Sequence, residues 1–231
     1  MSLSDTKCGT ASPETRVSVQ VKVCGLTRAD EAAACARAGA SAVGCVFYPR
    51  SARCVSAAVA REIRRALPPG VACVGVFVDA PFEGVVATAS QAGLTAVQLH
   101  GNEPPALVER LRREGLFVIK ALFADRTPGL GEAPHYSASA YLVECGQGPL
   151  PGGNAQDWDW SRVGPFAKRF PLILAGGLTP QNAAQAVRAA LPDAVDVSSG
   201  VEAGPGRKDI RQVEQFIAAV AAAVARRRIF A

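Results

Sequence analysis

The sequence predicts an α/β protein with a single (β/α)8 barrel, the TIM-barrel architecture. Eight short apolar runs rich in Val and other strand-forming residues alternate with Ala- and Arg-rich stretches of helical period. No low-complexity linker interrupts this alternation, as expected for one parallel-stranded domain. The last two runs end in small residues, where such barrels often hold a phosphate. A doubly wound open sheet is the structural alternative, but it would need a glycine fingerprint after the first strand, and Gly25 alone does not supply one.

The predicted strands are the apolar runs themselves. Short runs flanked by Gly, Pro and polar residues are typical of strands that a parallel sheet buries on both faces. In chain order the predicted strands are Val17–Cys24, Ala42–Phe47, Val71–Val78, Ala96–His100, Phe117–Leu122, Ala140–Glu144, Pro171–Leu174 and Ala194–Val197.

The predicted helices follow most of these strands. Pro81, Pro104 and Pro180 lie in the first turns of three of them, where a missing N–H costs little. The fifth helix is expected to be short or absent, because residues 123–139 contain too many Gly, Pro and Ser residues. The other helices are predicted at Arg28–Ala38, Ala57–Leu67, Pro81–Ala92, Pro104–Glu114, Trp160–Lys168, Pro180–Ala190 and Ile210–Arg226.

The composition limits the classes of partner. An apolar fraction of 49% predicts an extensive core. The sequence has no uncharged apolar run of about 18 residues, the length that would predict a membrane span. The net charge of +5 comes from basic residues spread along predicted helices and concentrated only at Arg226–Arg228, which we interpret as a solvated helix end. With few aromatic residues between these charges, a small anionic substrate is favoured over nucleic acid.

The N-terminal residues and the cysteines are typical of a cytoplasmic protein. Residues 1–16 are polar and lack the apolar centre of a secretion signal, so we expect a mobile tail before a catalytic barrel of residues 17–231. The seven cysteines are odd in number, scattered and without CxxC spacing, which favours reduced thiols over a disulfide framework or a zinc site. The sequence is compatible with a monomer or a homodimer.

Two turns after the seventh and eighth predicted strands have the features of a phosphate site. Gly176 and Gly177 follow one strand, and Ser199 and Gly200 follow the other. Small residues let backbone N–H groups approach an anion closely, and a helix N-terminus adds partial positive charge. Ordinary helix-entry turns are the alternative for either turn alone. Together, spaced by one helix, the two turns predict a phosphate site that needs no lysine.

Reactive side chains also lie near the ends of the first two predicted strands, where a barrel has its active site. Lys22 and Cys24 alternate with valines and should therefore both point into the barrel. A nearby ammonium would favour the thiolate and make Cys24 a proton acceptor, although this strand alone is equally compatible with a structural thiol. In the loop after the second strand, Arg50 or Arg53 could fork onto a carboxylate or be simply solvated.

Polar residues end the fourth and sixth predicted strands as well. Gln98 and His100 share a face at the barrel mouth. The chain has no second His or Cys at ligand spacing beside them, so they predict hydrogen bonding or acid-base chemistry and no metal. Glu144 closes an apolar run, where a carboxyl is costly to bury without a partner. It lies either at the open mouth of the barrel or in a site that raises its proton affinity, which would suit a general acid. A surface glutamate that starts a loop is the alternative.

Six motifs occur in an order and spacing that are highly specific. They are KVCGLT (22–27), GCVFYPRSARCVS (44–56), VGVFVDA (74–80), VQLHGNE (97–103), ILAGGLTPQN (173–182) and VDVSSGVEAGPGRKD (195–209). Together they resemble the phosphoribosylanthranilate isomerase family from about Val21 to the last helix. The resemblance implies a (β/α)8 barrel whose fifth helix is often absent. It also implies an Amadori rearrangement of N-(5-phosphoribosyl)anthranilate to 1-(2-carboxyphenylamino)-1-deoxyribulose 5-phosphate, in tryptophan biosynthesis, without cofactor or metal.

The resemblance implies a role for each candidate residue. By this likeness, Cys24 is the general base that removes the proton at C2′, and Glu144 takes the place of the general acid that protonates the ring oxygen. Arg53 pairs with the anthranilate carboxylate. The remaining positions are Gln98, His100 and Asp196 as substrate contacts, and Gly176, Gly177, Ser199 and Gly200 as phosphate contacts.

The chain departs from the family pattern at two places. Glu144 stands where the family typically has an aspartate, and its side chain is longer by one methylene. The usual Gly-Gly-Thr-Gly of the next loop reads Gly152-Gly153-Asn154-Ala155, and Ala155 cannot adopt the positive φ of a glycine. A misplacement of about 1 Å can cost ~10²-fold in rate. Another sugar-phosphate isomerase or lyase, and a barrel that only binds phosphorylated ligands, are therefore the alternatives.

Overall fold

Eight parallel strands close into a barrel in the computed structural model, which describes residues 17–147 and 158–230. Each strand pairs with the next along the chain, and the last pairs with the first. The predicted TIM barrel is therefore confirmed. The predicted tail, residues 1–16, and the Gly152–Ala155 loop lie outside the described residues. The strands are β1 (Gln20–Cys24), β2 (Ala42–Val46), β3 (Ala72–Phe77), β4 (Ala96–Leu99), β5 (Phe117–Phe123), β6 (Ala140–Glu144), β7 (Leu172–Leu174) and β8 (Ala194–Val197).

The described part of the chain also contains seven α-helices. They are α1 (Ala29–Arg37), α2 (Ala57–Ala66), α3 (Phe82–Ala92), α4 (Pro105–Arg113), α5 (Gly164–Arg169), α6 (Ala183–Ala190) and α7 (Ile210–Val220). Between β5 and β6 a 3-10 helix, Leu130–His135, replaces an α-helix, as the Gly and Pro content there predicts. The helix predicted from Trp160 begins as a 3-10 turn, Trp160–Val163. None of the described helices is long and apolar enough to cross a membrane.

The last helix is shorter than predicted. It ends at Val220, not at Arg226, and the following segment turns back across the bottom of the barrel. Val224–Ala225 pairs in antiparallel fashion with Val17–Ser18. The predicted first strand is accordingly divided into this short pairing segment and β1.

The three arginines near the chain end lie outside the last helix, although Arg226 and Arg228 are exposed as predicted. The carboxylate of Asp193, which is 1% exposed, accepts hydrogen bonds from the backbone N of Arg226 and Arg227 at 3.1 and 2.8 Å. The Arg227 guanidinium binds the other oxygen of that carboxylate at 3.1 Å. A buried carboxylate needs such partners. Because Asp193 directly precedes β8, these bonds hold the chain end at the N-terminal end of the barrel.

The C-terminal residues Ile229 and Phe230 close the N-terminal end of the barrel interior. Gln20 holds them there, since its Oε1 accepts from both backbone N atoms at 2.6 and 2.8 Å and its Nε2 donates to the Phe230 carbonyl at 2.6 Å. The two apolar side chains join the cluster of residues inside the barrel. They have room because alternate strands begin with small buried side chains: Ala42, Ala96, Ala140 and Ala194.

Truncating Phe230 is expected to destabilise the fold without affecting catalysis. Phe230→Ala removes a side chain that is 3% exposed, so we expect the free energy of unfolding to fall by about 3 kcal/mol or more, as for other buried Phe→Ala changes. Urea denaturation of the variant measures this loss. Val224→Ala is the matched control, because that side chain in the same segment is 56% exposed. Equal losses in the two variants would contradict the burial argument.

Candidate active site

A cavity of about 670 Å³, its solvent-open mouth included, lies at the carboxyl ends of the barrel strands. The structure brings all the predicted site residues to this cavity, and their individual roles stay predictions. Those residues are Cys24, Arg53, Gln98, His100, Glu144, Gly176, Gly177, Asp196, Ser199 and Gly200.

Cys24 ends β1 and shares its inward face with Lys22, as the alternation predicts. The Lys22 side chain is completely buried, and its Nζ donates to Asp196 Oδ1 on the neighbouring strand β8 at 2.7 Å. Gly44 on the other neighbouring strand makes room for both side chains. A Cβ at Gly44 would lie 2.7 Å from Cys24 Sγ and 3.2 Å from Lys22 Nζ. The thiol and the ammonium are therefore packed side by side in one glycine-sized gap.

The electrostatic effect of this packing differs from the expectation of an easily formed thiolate. Burial raises the pKa of the Cys24 thiol, and this effect exceeds the lowering by the Lys22 charge. For Lys22, burial acts to lower the pKa, but Asp196 and Cys24 together raise it above the usual value. Lys22 thus stays an ammonium. The thiol holds its proton at neutral pH more firmly than an exposed cysteine does.

Glu144 lies at the end of β6 and is only 6% exposed, so the interpretation as a surface residue is wrong. Its Oε1 is 3.3 Å from His100 Nε2, and His100 Nδ1 is 2.7 Å from Gln98 Nε2. Because an amide nitrogen only donates, Nδ1 accepts and Nε2 carries the ring proton toward the carboxyl. Among the described residues, the buried Gln98 Oε1 has no hydrogen-bond partner. It is an acceptor that a ligand in the cavity can satisfy.

Arg53 forms the expected fork, but on a carboxylate of the chain itself. Its Nε and Nη2 donate to the two oxygens of Glu202 at 2.9 and 2.7 Å. Lys208 Nζ donates to the same carboxylate at 2.7 Å and to the Ser198 carbonyl at 3.1 Å. Sequence reasoning missed Glu202 and Lys208, although both lie in the last of the six motifs. Arg50 is exposed and does not line the cavity.

The two predicted phosphate turns meet at one side of the cavity. Gly176 and Gly177 have φ angles of +85° and +68°, a region that favours glycine. A Cβ at Gly200 would collide with the Leu178 carbonyl oxygen, so the two turns are in backbone contact. Neither turn opens an α-helix directly, which corrects the expectation: Ser199–Val201 is a 3-10 turn, and α6 begins only at Ala183. Neither turn therefore has the positive end of a long helix directly beside it. Close approach of the backbone N–H groups is the feature of the predicted phosphate site that the structure retains.

Comparison with protein families identifies the chain. Residues 21–219 match the family model described as N-(5′phosphoribosyl)anthranilate (PRA) isomerase. The chain belongs to the phosphoribosylanthranilate isomerase family. The resemblance drawn from the six motifs is thereby confirmed. The C-terminal segment that closes the barrel lies beyond the residues that match the family model.

Similar proteins agree with this assignment. An N-(5′-phosphoribosyl)anthranilate isomerase from Desulfatibacillum aliphaticivorans is 51% identical over 201 residues, which are 87% of this chain and 92% of the relative. A crystal structure of phosphoribosyl anthranilate isomerase in complex with reduced 1-(o-carboxyphenylamino)-1-deoxyribulose 5-phosphate has a TM-score of 0.78 and 40% identity, covering 87% of this chain and 98% of that one. Monomers generated from the dimeric phosphoribosylanthranilate isomerase of Thermotoga maritima give a TM-score of 0.77, with the same identity and coverage.

Proposed function

We propose that this protein converts N-(5-phosphoribosyl)anthranilate to 1-(2-carboxyphenylamino)-1-deoxyribulose 5-phosphate, an Amadori rearrangement of tryptophan biosynthesis. The observation that carries the proposal is the arrangement of Cys24 and Glu144. They end β1 and β6 and line one cavity together with the two glycine turns. A thiol and a carboxyl across a phosphate-bound sugar supply the base and the acid that this reaction needs. A family member that is 40% identical was crystallised with a reduced deoxyribulose phosphate, which supports the proposed class of ligand.

Ring opening is assigned to Glu144. Its carboxylic acid protonates the ring oxygen of the aminosugar, the bond from that oxygen to C1′ breaks, and the nitrogen lone pair forms the imine. His100 stands 3.3 Å from the carboxyl and orients it toward the cavity. A positioned acid of this kind contributes roughly 10²–10⁴-fold to the rate.

Proton removal is assigned to Cys24. As a thiolate it takes the proton from C2′, and the electrons of that C–H bond form the enolamine, which relaxes to the ketone. Asp196 holds the Lys22 ammonium beside the thiol, and the charge of Lys22 favours the thiolate. The removal of a C–H proton needs the ionised sulfur, so the step depends on pH.

Substrate binding is assigned to the two sides of the cavity. Arg53 is proposed to receive the anthranilate carboxylate, and Gln98 Oε1 to accept a hydrogen bond from the substrate. His100 and Asp196 add further substrate contacts. The backbone amides of the two turns are proposed to hold the phosphate, with contacts from Gly176, Gly177, Ser199 and Gly200.

The direct test mixes purified protein with freshly prepared phosphoribosylanthranilate and follows the decay of its fluorescence. Acceleration over buffer supports the proposal. Turnover of other pentose or aminosugar phosphates in its place would favour a different isomerase or lyase. Tight product binding in calorimetry, together with no turnover, would favour a barrel that only binds phosphorylated ligands.

We also propose that the enzyme works in the cytoplasm, without cofactor, metal, membrane or nucleic acid, as a monomer or a homodimer. The free cysteines among the described residues support a reducing compartment. In the same part of the chain, no group of three or more His, Cys, Asp or Glu side chains is arranged to hold a metal. Sedimentation at micromolar concentration distinguishes the two oligomeric states.

Gly200→Ala is expected to weaken binding of the phosphate group. The new Cβ would collide with the Leu178 carbonyl, and the turns would have to separate. We expect the KM for substrate and the inhibition constant for inorganic phosphate to rise by about 10-fold or more, since the backbone donors of an anion site act only at close approach. Gly204→Ala is the matched control, because a Cβ there meets nothing within 4 Å. Equal constants in the two variants would contradict the assignment of this turn.

A further inference from the structure

Glu202 is a buried carboxylate that binds two cations beside the cavity. Its side chain is 4% exposed, and it receives two hydrogen bonds from Arg53 and one from Lys208, all between 2.7 and 2.9 Å. Burial acts to raise the pKa of Glu202, but the Arg53 hydrogen bonds and the Lys208 charge lower it below its usual range. Glu202 is therefore ionised, and the group of three charges keeps a net charge of +1 for a ligand.

The contact with Glu202 fixes which edge of Arg53 is free. A guanidinium has five N–H donors: one on Nε and two on each Nη. Glu202 takes the side formed by Nε and Nη2. The end formed by Nη1 and the second hydrogen of Nη2 has no partner among the described residues. Arg53 lines the cavity, so this free end can form a second fork on a ligand carboxylate.

A further set of contacts holds Glu202 itself in place. Lys208 joins Glu202 to the Ser198 carbonyl, which belongs to the phosphate turn. Glu31 on α1 accepts from the backbone N of Lys208 and from Arg207 Nε, both at 3.1 Å. The hairpin of Glu202–Gly204 with Arg207–Lys208 is thus tied to α1 on one side and to Arg53 on the other. Glu31 holds the hairpin without touching Arg53.

We propose that Glu202 is a positioning residue that selects for the substrate's carboxylate. It does so by holding Arg53 so that the free end of the guanidinium, formed by Nη1 and Nη2, faces the cavity. The inference rests on the proposed function, in which Arg53 receives the anthranilate carboxylate. A guanidinium held by one carboxylate has already lost its side-chain freedom before the ligand arrives. A second carboxylate is then bound without that entropic cost.

The test compares two ligands that differ only in the carboxylate. One is reduced 1-(2-carboxyphenylamino)-1-deoxyribulose 5-phosphate, and the other is the same reduced compound with an unsubstituted phenyl ring. Glu202→Gln keeps the size of the side chain but has only one oxygen to accept the fork. We expect it to weaken the affinity for the carboxylated ligand about 10-fold, the effect of a lost charged hydrogen bond. The affinity for the other ligand should change by less than about two-fold.

A double-mutant cycle links this effect to Arg53. The Arg53→Ala variant is expected to lose the same preference for the carboxylated ligand. Adding Glu202→Gln to Arg53→Ala should not weaken the affinity for that ligand any further. Equal weakening of both ligands by Glu202→Gln, or no weakening of either, would overturn the inference. Additive losses in the double variant would overturn it as well, since Glu202 would then act independently of Arg53.

The matched control is Glu31→Gln, which disturbs the same hairpin from its other side. A selective loss as large as that of Glu202→Gln would overturn the inference, because the hairpin and not Arg53 would then be responsible. If Glu202→Gln does not fold, Glu202→Asp decides, since it keeps the charge but is too short to accept both bonds at their present distances. Equal affinity of the unaltered protein for the two ligands also overturns the inference. A protein that fails to turn over phosphoribosylanthranilate overturns the proposed function alone.

Discussion

Glu144→Gln is expected to lower kcat by two orders of magnitude or more while changing KM little. The amide keeps the size of the carboxyl and can still accept the hydrogen bond from His100 Nε2, so the cavity keeps its shape. What it loses is the proton for the ring oxygen. A general acid of this kind is worth roughly 10²–10⁴-fold, and the loss falls on a step after substrate binding.

Steady-state fluorescence assays of the two variants Glu144→Gln and Glu144→Asp test this assignment. The aspartate variant carries the residue that the family typically has at this place, and it retains a proton to donate. We expect it to be clearly more active than the glutamine variant, although a displacement of about 1 Å can itself cost ~10²-fold. Wild-type activity in Glu144→Gln would mean that another group donates the proton.

The strands and the inward-facing site residues could be predicted because the relevant geometry is local. Side chains on a strand alternate between its two faces, so the spacing of Lys22 and Cys24, or of Gln98 and His100, already places each pair on one side. Parallel strands in a closed barrel end at the same rim, which brings residues from β1, β4 and β6 to one cavity. The order of the motifs predicted the family, and the resemblance to that family implied the role of each residue.

The partners of these residues could not be predicted, because they depend on contacts between distant parts of the chain. Arg53 and Glu202 are separated by 149 residues, and the local sequence around either residue does not predict contact with the other. The chain end is a similar case: its helical period continues past Val220, but pairing with Val17–Ser18 outweighs the local helix propensity. Tertiary contacts of this kind decide where elements end.

The pKa of Cys24 shows a third limit of the sequence. The ammonium of Lys22 is close to the thiol, as the alternation predicted, and it acts in the predicted direction. The sequence does not report the degree of burial, which acts in the opposite direction and is the larger effect. The sign of a pKa shift at a buried site therefore required the structure.

Cys24→Ala is expected to reduce kcat/KM by at least about 10²-fold, because it removes the group assigned to take the C2′ proton. Cys24→Ser should be almost as inactive, since a hydroxyl does not ionise at neutral pH and cannot replace the thiolate. Cys54→Ala is the matched control, because Cys54 is an exposed free thiol that does not line the cavity. Full activity in Cys24→Ala would exclude this residue as the base.

The pH dependence of kcat/KM gives a second and independent measure of Cys24. Burial raises the pKa of the thiol, and below that pKa the fraction of thiolate grows with pH, so the rate is expected to keep rising from neutral into the alkaline range. Lys22 lowers the pKa of Cys24, so Lys22→Met should move the rise to higher pH as well as slowing the reaction at neutral pH. A rise that stays at the same pH in Lys22→Met would show that a group other than Cys24 controls the reaction, and the thiol would lose its assignment as the base.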